Sequence, residues 1–124
     1  MIGNTFCGND ISGNPHIIIL NGVNIVIAKN TLQKHGVSGR STLIALGHES
    51  FIGSASDCDD TLIENNYFIG DGVTADLYGI EVDKMICTNM SKHLILRNIF
   101  KAVPSGNEVH YVAPLTNKNL VFEN

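Results

Sequence analysis

Two carboxylates alternate with two apolar residues in the run Ile80-Glu81-Val82-Asp83. Successive side chains of a strand point to opposite faces, so with Ile80 and Val82 turned inward, Glu81 and Asp83 point outward together. Their Cβ atoms are then about 6.5–7 Å apart, near the spacing at which one carboxyl protonates a leaving oxygen while the other activates water in inverting glycoside hydrolysis. The competing reading of the same alternation is a solvated polar face with Lys84 as partner. If strands of this type stack, His110 and the turn Gly47-His48-Glu49 come within one or two rungs of Glu81, about 5–10 Å away. The expected catalytic pair is therefore Glu81 and Asp83. His48 and His110 are expected to bond hydroxyls or orient a carboxylate, and Tyr78 and Tyr111 to offer stacking surfaces to a sugar.

Other chemistry is less well supplied. The loop Asp57-Cys58-Asp59-Asp60 and the turn Asp71-Gly72 offer oxygens to a hard cation such as calcium, but they belong to different corners of the chain, and the nonapeptide calcium repeat is absent. No metal and no cofactor are expected. Cys7, Cys58 and Cys87 are odd in number and form no CxxC, which suggests neither a disulfide framework nor a zinc site. A Gly-rich phosphate loop, a Gly-x-Ser-x-Gly elbow and a His-Glu-x-x-His are all missing. With 8 Lys plus Arg and a net charge of −4, the chain lacks the basic field that nucleic acid needs. The apolar run Ile17–Leu20 is as long as any and far short of the roughly 20 residues that span a bilayer, so neither membrane insertion nor an uncleaved signal segment is expected.

The elements that would position these residues come from a repeat. Fourteen Asn and 12 Gly interrupt a chain rich in β-branched residues, with 15 Ile and nine Val. An apolar strand followed by Asn, any residue and a large apolar residue recurs at Met1–Phe6, Ile27–Leu32, Ile63–Phe68 and Ile95–Phe100, and Val121–Asn124 is a copy cut at its Asn. The anchors Asn4, Asn30, Asn66, Asn98 and Asn124 are 26, 36, 32 and 26 residues apart, which suits coils of fixed strands and variable loops. A second strand follows each anchor: Ile17–Leu20, Leu43–Leu46, Gly79–Val82 and Val109–Val112. Neither strand type has helical spacing. Strands that return once per coil must stack in parallel about 4.8 Å apart. The reading is all-β, a right-handed parallel β-helix of about four coils. The anchor Asn would supply the positive φ of a sharp bend, its amide bonding the Asn of the next coil, and Phe6, Leu32, Phe68 and Phe100 would plug the core beneath.

The segments Thr61–Phe68 and Tyr78–Val82 resemble the two halves of the repeat in pectate-lyase-like proteins, carbohydrate epimerases and bacteriophage tailspikes, a likeness that covers nearly the whole chain. It is specific for fold; members hydrolyse, eliminate, epimerise or only bind sugars. The polygalacturonase pattern fails: Asp59-Asp60 follows Gly47-His48-Glu49 instead of preceding it, and Arg97-Asn98-Ile99 has no Lys at the third place. A lyase would need Arg or Lys as base beside calcium-binding acids, and Arg40 and Arg97 are the only arginines.

The expected organisation is one domain over residues 1–124, a slice of a longer helix or one protomer of an oligomer, because both ends break within a coil. Tailspikes are parallel homotrimers, so the resemblance implies a homotrimer and an extracellular or virion-associated location. The expected function is polysaccharide binding, with cleavage by the paired carboxylates as the enzymatic form. The alternative is a non-catalytic carbohydrate-binding or assembly module, against whose sugar-binding form the absence of Trp and 6% aromatic content count.

Overall fold

The computed structural model describes residues 1–10, 16–19, 22–36, 41–46, 58–59, 61–82, 93–111 and 120–123, with backbone alone at 6–10, 22–23, 35–36, 58–59, 93, 111 and 120–123. Every regular element among them is a strand. None is a helix long and apolar enough to cross a membrane.

Ile2 bridges to Ala28, and the first coil continues through β1 (Thr5–Asp10) and β2 (Ile17–Ile19). The second contains β3 (Gly22–Val23), β4 (Val26–Ala28), β5 (Thr31–Gly36) and β6 (Ser41–Leu46). The third contains β7 (Cys58–Asp59), β8 (Thr61–Glu64), β9 (Tyr67–Ile69) and β10 (Leu77–Val82). The fourth contains β11 (His93–Leu96), β12 (Ile99–Lys101) and β13 (Val109–Tyr111), and β14 (Leu120–Glu123) lies on the next rung. Equivalent strands stack in three sheets: β4, β8, β11 and β14 form the first, β1, β5, β9 and β12 the second, and β2, β6, β10 and β13 the third. β3 and β7 pair in a short ribbon of their own. All pairings are parallel and join successive coils, the arrangement of a parallel β-solenoid. Each coil carries three main strands, one more than the minimum legible in the repeat, because the anchor segment bends at its Asn and divides between the first and second sheets.

That bend differs from expectation in one respect. The left-handed residue is not the anchor Asn but the residue before it: Gly3, Lys29, Asn65 and Arg97 have φ of 69°, 57°, 53° and 52°. Lys29, Asn65 and Arg97 are exposed, whereas Asn30, Asn66 and Asn98 are buried. The turning residue points to solvent, so its identity is loosely constrained. The next residue points inward, where it must both donate and accept. Each anchor does both. Asn66 Oδ1 accepts from the backbone N–H (2.9 Å) and the Nδ2 (3.0 Å) of Asn30, and Asn66 Nδ2 donates to Ile27 O (2.9 Å) and Asn98 Oδ1 (3.0 Å). Asn30 receives the same pair of bonds from Asn4, and Asn98 Nδ2 donates to Ile63 O (2.9 Å). The amide ladder thus satisfies buried backbone groups that the bend removes from the sheets.

Beneath the bend, Phe6, Leu32, Phe68 and Phe100 stand in backbone register. Leu32 and Phe68 are fully buried, and the Phe68 and Phe100 rings stack with centroids 4.6 Å apart and planes 9° from parallel. Ile27, Ile63 and Ile95 form the column of the first sheet, and Ile17, Ile44 and Ile80, which continue in register to Val109, that of the third. Burying each such side chain is worth about 1.5–3 kcal/mol, so the columns hold the coils together.

Candidate functional site

The third sheet carries the predicted site, and a corner within its strands decides which side chains face out. Leu43 and Ile44 are consecutive yet both fully buried in the core, as are Leu77 and Ile80, which flank the matching corner of β10. The β10–β6 ladder skips Leu43 and Gly79, and the consecutive N–H groups of Gly79 and Ile80 both donate toward the fourth coil, to Asn107 O and Glu108 O at 2.9 Å each. A regular strand alternates its N–H directions, so two in succession mark a bend. Gly79 faces inward there: a Cβ would lie 2.5 Å from Phe100 Cε1 and 2.7 Å from Glu108 O. Thr42 and Tyr78 are then outward before the corner, and Ala45 and Glu81 outward after it. His110 stands in register with Glu81.

Two diagonal contacts of the same kind follow, one coil apart. Thr42 Oγ1 donates to Glu81 Oε2 at 3.0 Å. The Tyr78 and His110 rings stack with centroids 4.2 Å apart and planes 26° from parallel. Tyr78 and His110 are half-buried. Glu81 is only 6% exposed, with Thr42 at 5% and Ala45 at 1%, so Glu81 is not the solvated acid that simple alternation suggests. A buried carboxylate needs hydrogen-bond donors, and Thr42 is one.

Of the predicted site residues, Tyr78, Glu81 and His110 come together on neighbouring rungs. Tyr111 follows in β13 with its backbone in register with Val82. Asp83 and His48 lie outside the described residues, as do Asp57 and Asp60 of the acidic loop. Sequence reasoning missed Thr42; the available signal was its spacing from Tyr78, which matches that of Ile44 from Ile80 and of the anchors Asn30 and Asn66.

The Asp71 turn has a different occupation from the cation site considered for it. Asp71 Oδ1 accepts the N–H groups of Val73 (3.0 Å) and Thr74 (2.8 Å), its Oδ2 accepts Thr74 Oγ1 at 2.5 Å, and Lys34 Nζ is 3.8 Å from Oδ2. Partial burial pushes the Asp71 carboxyl up, but the bonds from Thr74 and Val73 and the Lys34 charge outweigh it and hold the pKa down at about 2. Its oxygens serve to close the turn into β10. Among the described residues no three His, Cys, Asp or Glu side chains converge as metal ligands would. Comparison of the chain with protein-family models, with curated proteins and with solved structures returned no match.

Proposed function

We propose that this chain is a segment of a right-handed parallel β-helix of the pectate-lyase-like type that binds polysaccharide along the outer face of its third sheet, as in a phage tailspike. The observation that carries the reading is the Tyr78–His110 stack beside Glu81 on that face. Stacked on each other, the rings turn edges and polar tips outward, where they can contact sugar C–H groups and hydrogen-bond its hydroxyls. The net charge of −4 suits neutral or acetylated sugars better than polyuronates. In the cleaving form of this reading Glu81 and Asp83 are the acid and base, and the assembled state is a homotrimer outside the cell or on a virion.

Binding to a panel of neutral and acetylated bacterial polysaccharides, read by affinity electrophoresis, tests it. Tyr78→Ala and His110→Ala are each expected to weaken binding about tenfold, a loss of about 1.4 kcal/mol. Release of reducing ends tests the cleaving form, and Glu81→Gln is expected to lower it by about 10²–10⁴. Retention that both ring variants leave unchanged removes the site from this face.

A specific observation favours the second reading, an assembly module. Val26, Leu62 and Leu94 lie in register on the outer side of the first sheet, with Val26 and Leu94 exposed. Sedimentation velocity across a concentration series distinguishes the cases, and a monomer at every concentration rejects both the trimer and the assembly module.

A further inference from the structure

Next to the start of β10, the turns of the third and fourth coils enclose an open cleft of about 290 Å³ lined by Gly72, Val73, Thr74, Ala75, Ala102, Val103 and Pro104. No charged side chain lines it. Its polar groups are largely consumed within the turns: Gly72 N–H donates to Ala102 O, Val73 and Thr74 N–H to Asp71, and Asn107 Nδ2 to Ala75 O. What remains toward the opening is apolar, with Val73 exposed at 86%. The wall is held in an unusual backbone state, since Ala102 has φ 55°, a conformation that costs a residue with a Cβ about 1–2 kcal/mol. The bare α-carbon of Gly70 makes room for the Ala102 carbonyl, which a Cβ there would strike.

We propose that this cleft is a subsite for a methyl group carried by a neutral sugar, either the methyl of an acetamido group or that of a 6-deoxy sugar. The inference rests on the carbohydrate reading above and adds the substituent that the site selects. The volume lies at the lower edge of small-ligand sites, enough for a substituent and part of a ring. The charges around it are mixed, Asp71 and Asp76 flanking one wall with Lys34 3.8 Å from Asp71 and Lys101 preceding the other, so the apolar lining and not a net charge favours a neutral substituent. Asn107 ties the cleft wall to the strand that carries Tyr78: its Nδ2 donates to Ala75 O and its carbonyl accepts the N–H of Gly79. Tyr78 is three residues from Ala75, which with Asp76 forms the turn into β10, so the two lie within about 10 Å and a sugar beside the Tyr78–His110 pair can reach the cleft with a substituent.

Ligand-observed saturation-transfer NMR on the full chain, titrated with glucose, 6-deoxyglucose and N-acetylglucosamine, tests this. At least one methyl-bearing sugar is expected to bind about three- to fivefold tighter than glucose, the effect of one buried methyl, with the strongest transfer at that methyl. Preference for N-acetylglucosamine identifies the acyl group, and preference for 6-deoxyglucose the deoxy sugar. Val73→Ser, at an exposed position where folding is undisturbed, is expected to bring the ratio to about one. Equal binding of all three sugars by the wild-type chain overturns the cleft while the carbohydrate reading stands. A preference that survives Val73→Ser also overturns it. Absence of binding by every sugar overturns the cleft if polysaccharide is still retained in affinity electrophoresis, and overturns both readings if it is not.

Discussion

A Cβ at Gly79 would meet the Phe100 ring and the Glu108 carbonyl at once, which makes this small residue the hinge between the core column and the outward pair Tyr78 and Glu81. Its φ is not positive, so the requirement is space and not backbone conformation. Gly79→Ala is expected to destabilise by about 1–3 kcal/mol, as overpacking does, and to weaken the Tyr78–His110 contact, read by urea unfolding and by the ring resonances of His110. Asp71 gives a second prediction at this scale. Its folded pKa of about 2 lies below the ordinary aspartate value of 3.8, so its contribution to stability is fully present above about pH 4 and is lost as pH falls toward 2. Unfolding titrations between pH 5 and 2 are expected to show that loss in the native chain and a flatter profile in Asp71→Asn; identical profiles would show that Thr74 and Lys34 do not hold the carboxylate.

The element that recurs is the bend between the first and second sheets. Asn66 occupies the middle of the amide ladder, and its truncation to Ala leaves the N–H of Asn30 without its partner and removes the bonds to Ile27 O and Asn98 Oδ1 and one of the two bonds of Asn30 Nδ2, which also donates to Met1 O. With about 1–3 kcal/mol for a buried group left unsatisfied and the further bonds lost, the cost is about 2 kcal/mol or more. Asn4 donates to Asn30 at a partly exposed position, so Asn4→Ala is expected to cost about 1 kcal/mol. Chemical denaturation of the two variants measures the ratio, and equal costs would refute the ladder as a buried, cooperative feature. The turning residues are a useful contrast. Gly3, Lys29, Asn65 and Arg97 share one backbone conformation and no chemistry, because their side chains face water.

Across the whole molecule, neighbouring strands are brought together only after 26–36 residues of chain, as the ladder separations record. Non-local pairing of this kind delays the return on loop-closure entropy, so refolding is expected on a timescale of about milliseconds to seconds or slower. In a stack where each coil touches only its neighbours, the middle coils have two partners each. Amide hydrogen exchange is therefore expected to be slowest around Asn30 and Asn66 and faster at Gly3 and Asn4, and uniform protection would mean that the coils unfold as one unit.

The periodic features of this protein were legible because they are local. The anchors at Asn4, Asn30, Asn66 and Asn98, the plug residues after them and the strands that follow each coil recur in sequence, and parallel stacking is the geometric consequence of that recurrence. Glu81 shows where local reasoning ends. Its alternation with Ile80 and Val82 is sound within the second half of β10, but Leu77 also faces the core, which only a corner at Gly79 and Ile80 permits. That corner brings Glu81 to Thr42 and His110 to Tyr78 on diagonals no single strand reveals. Whether an outward position meets solvent or cover depends on what packs over it from distant sequence, and period-two alternation carries no information about that. The placement of the left-handed residue was likewise decided by the assembled coil, because φ at the bend is set by which of two adjacent side chains must reach the buried amide ladder.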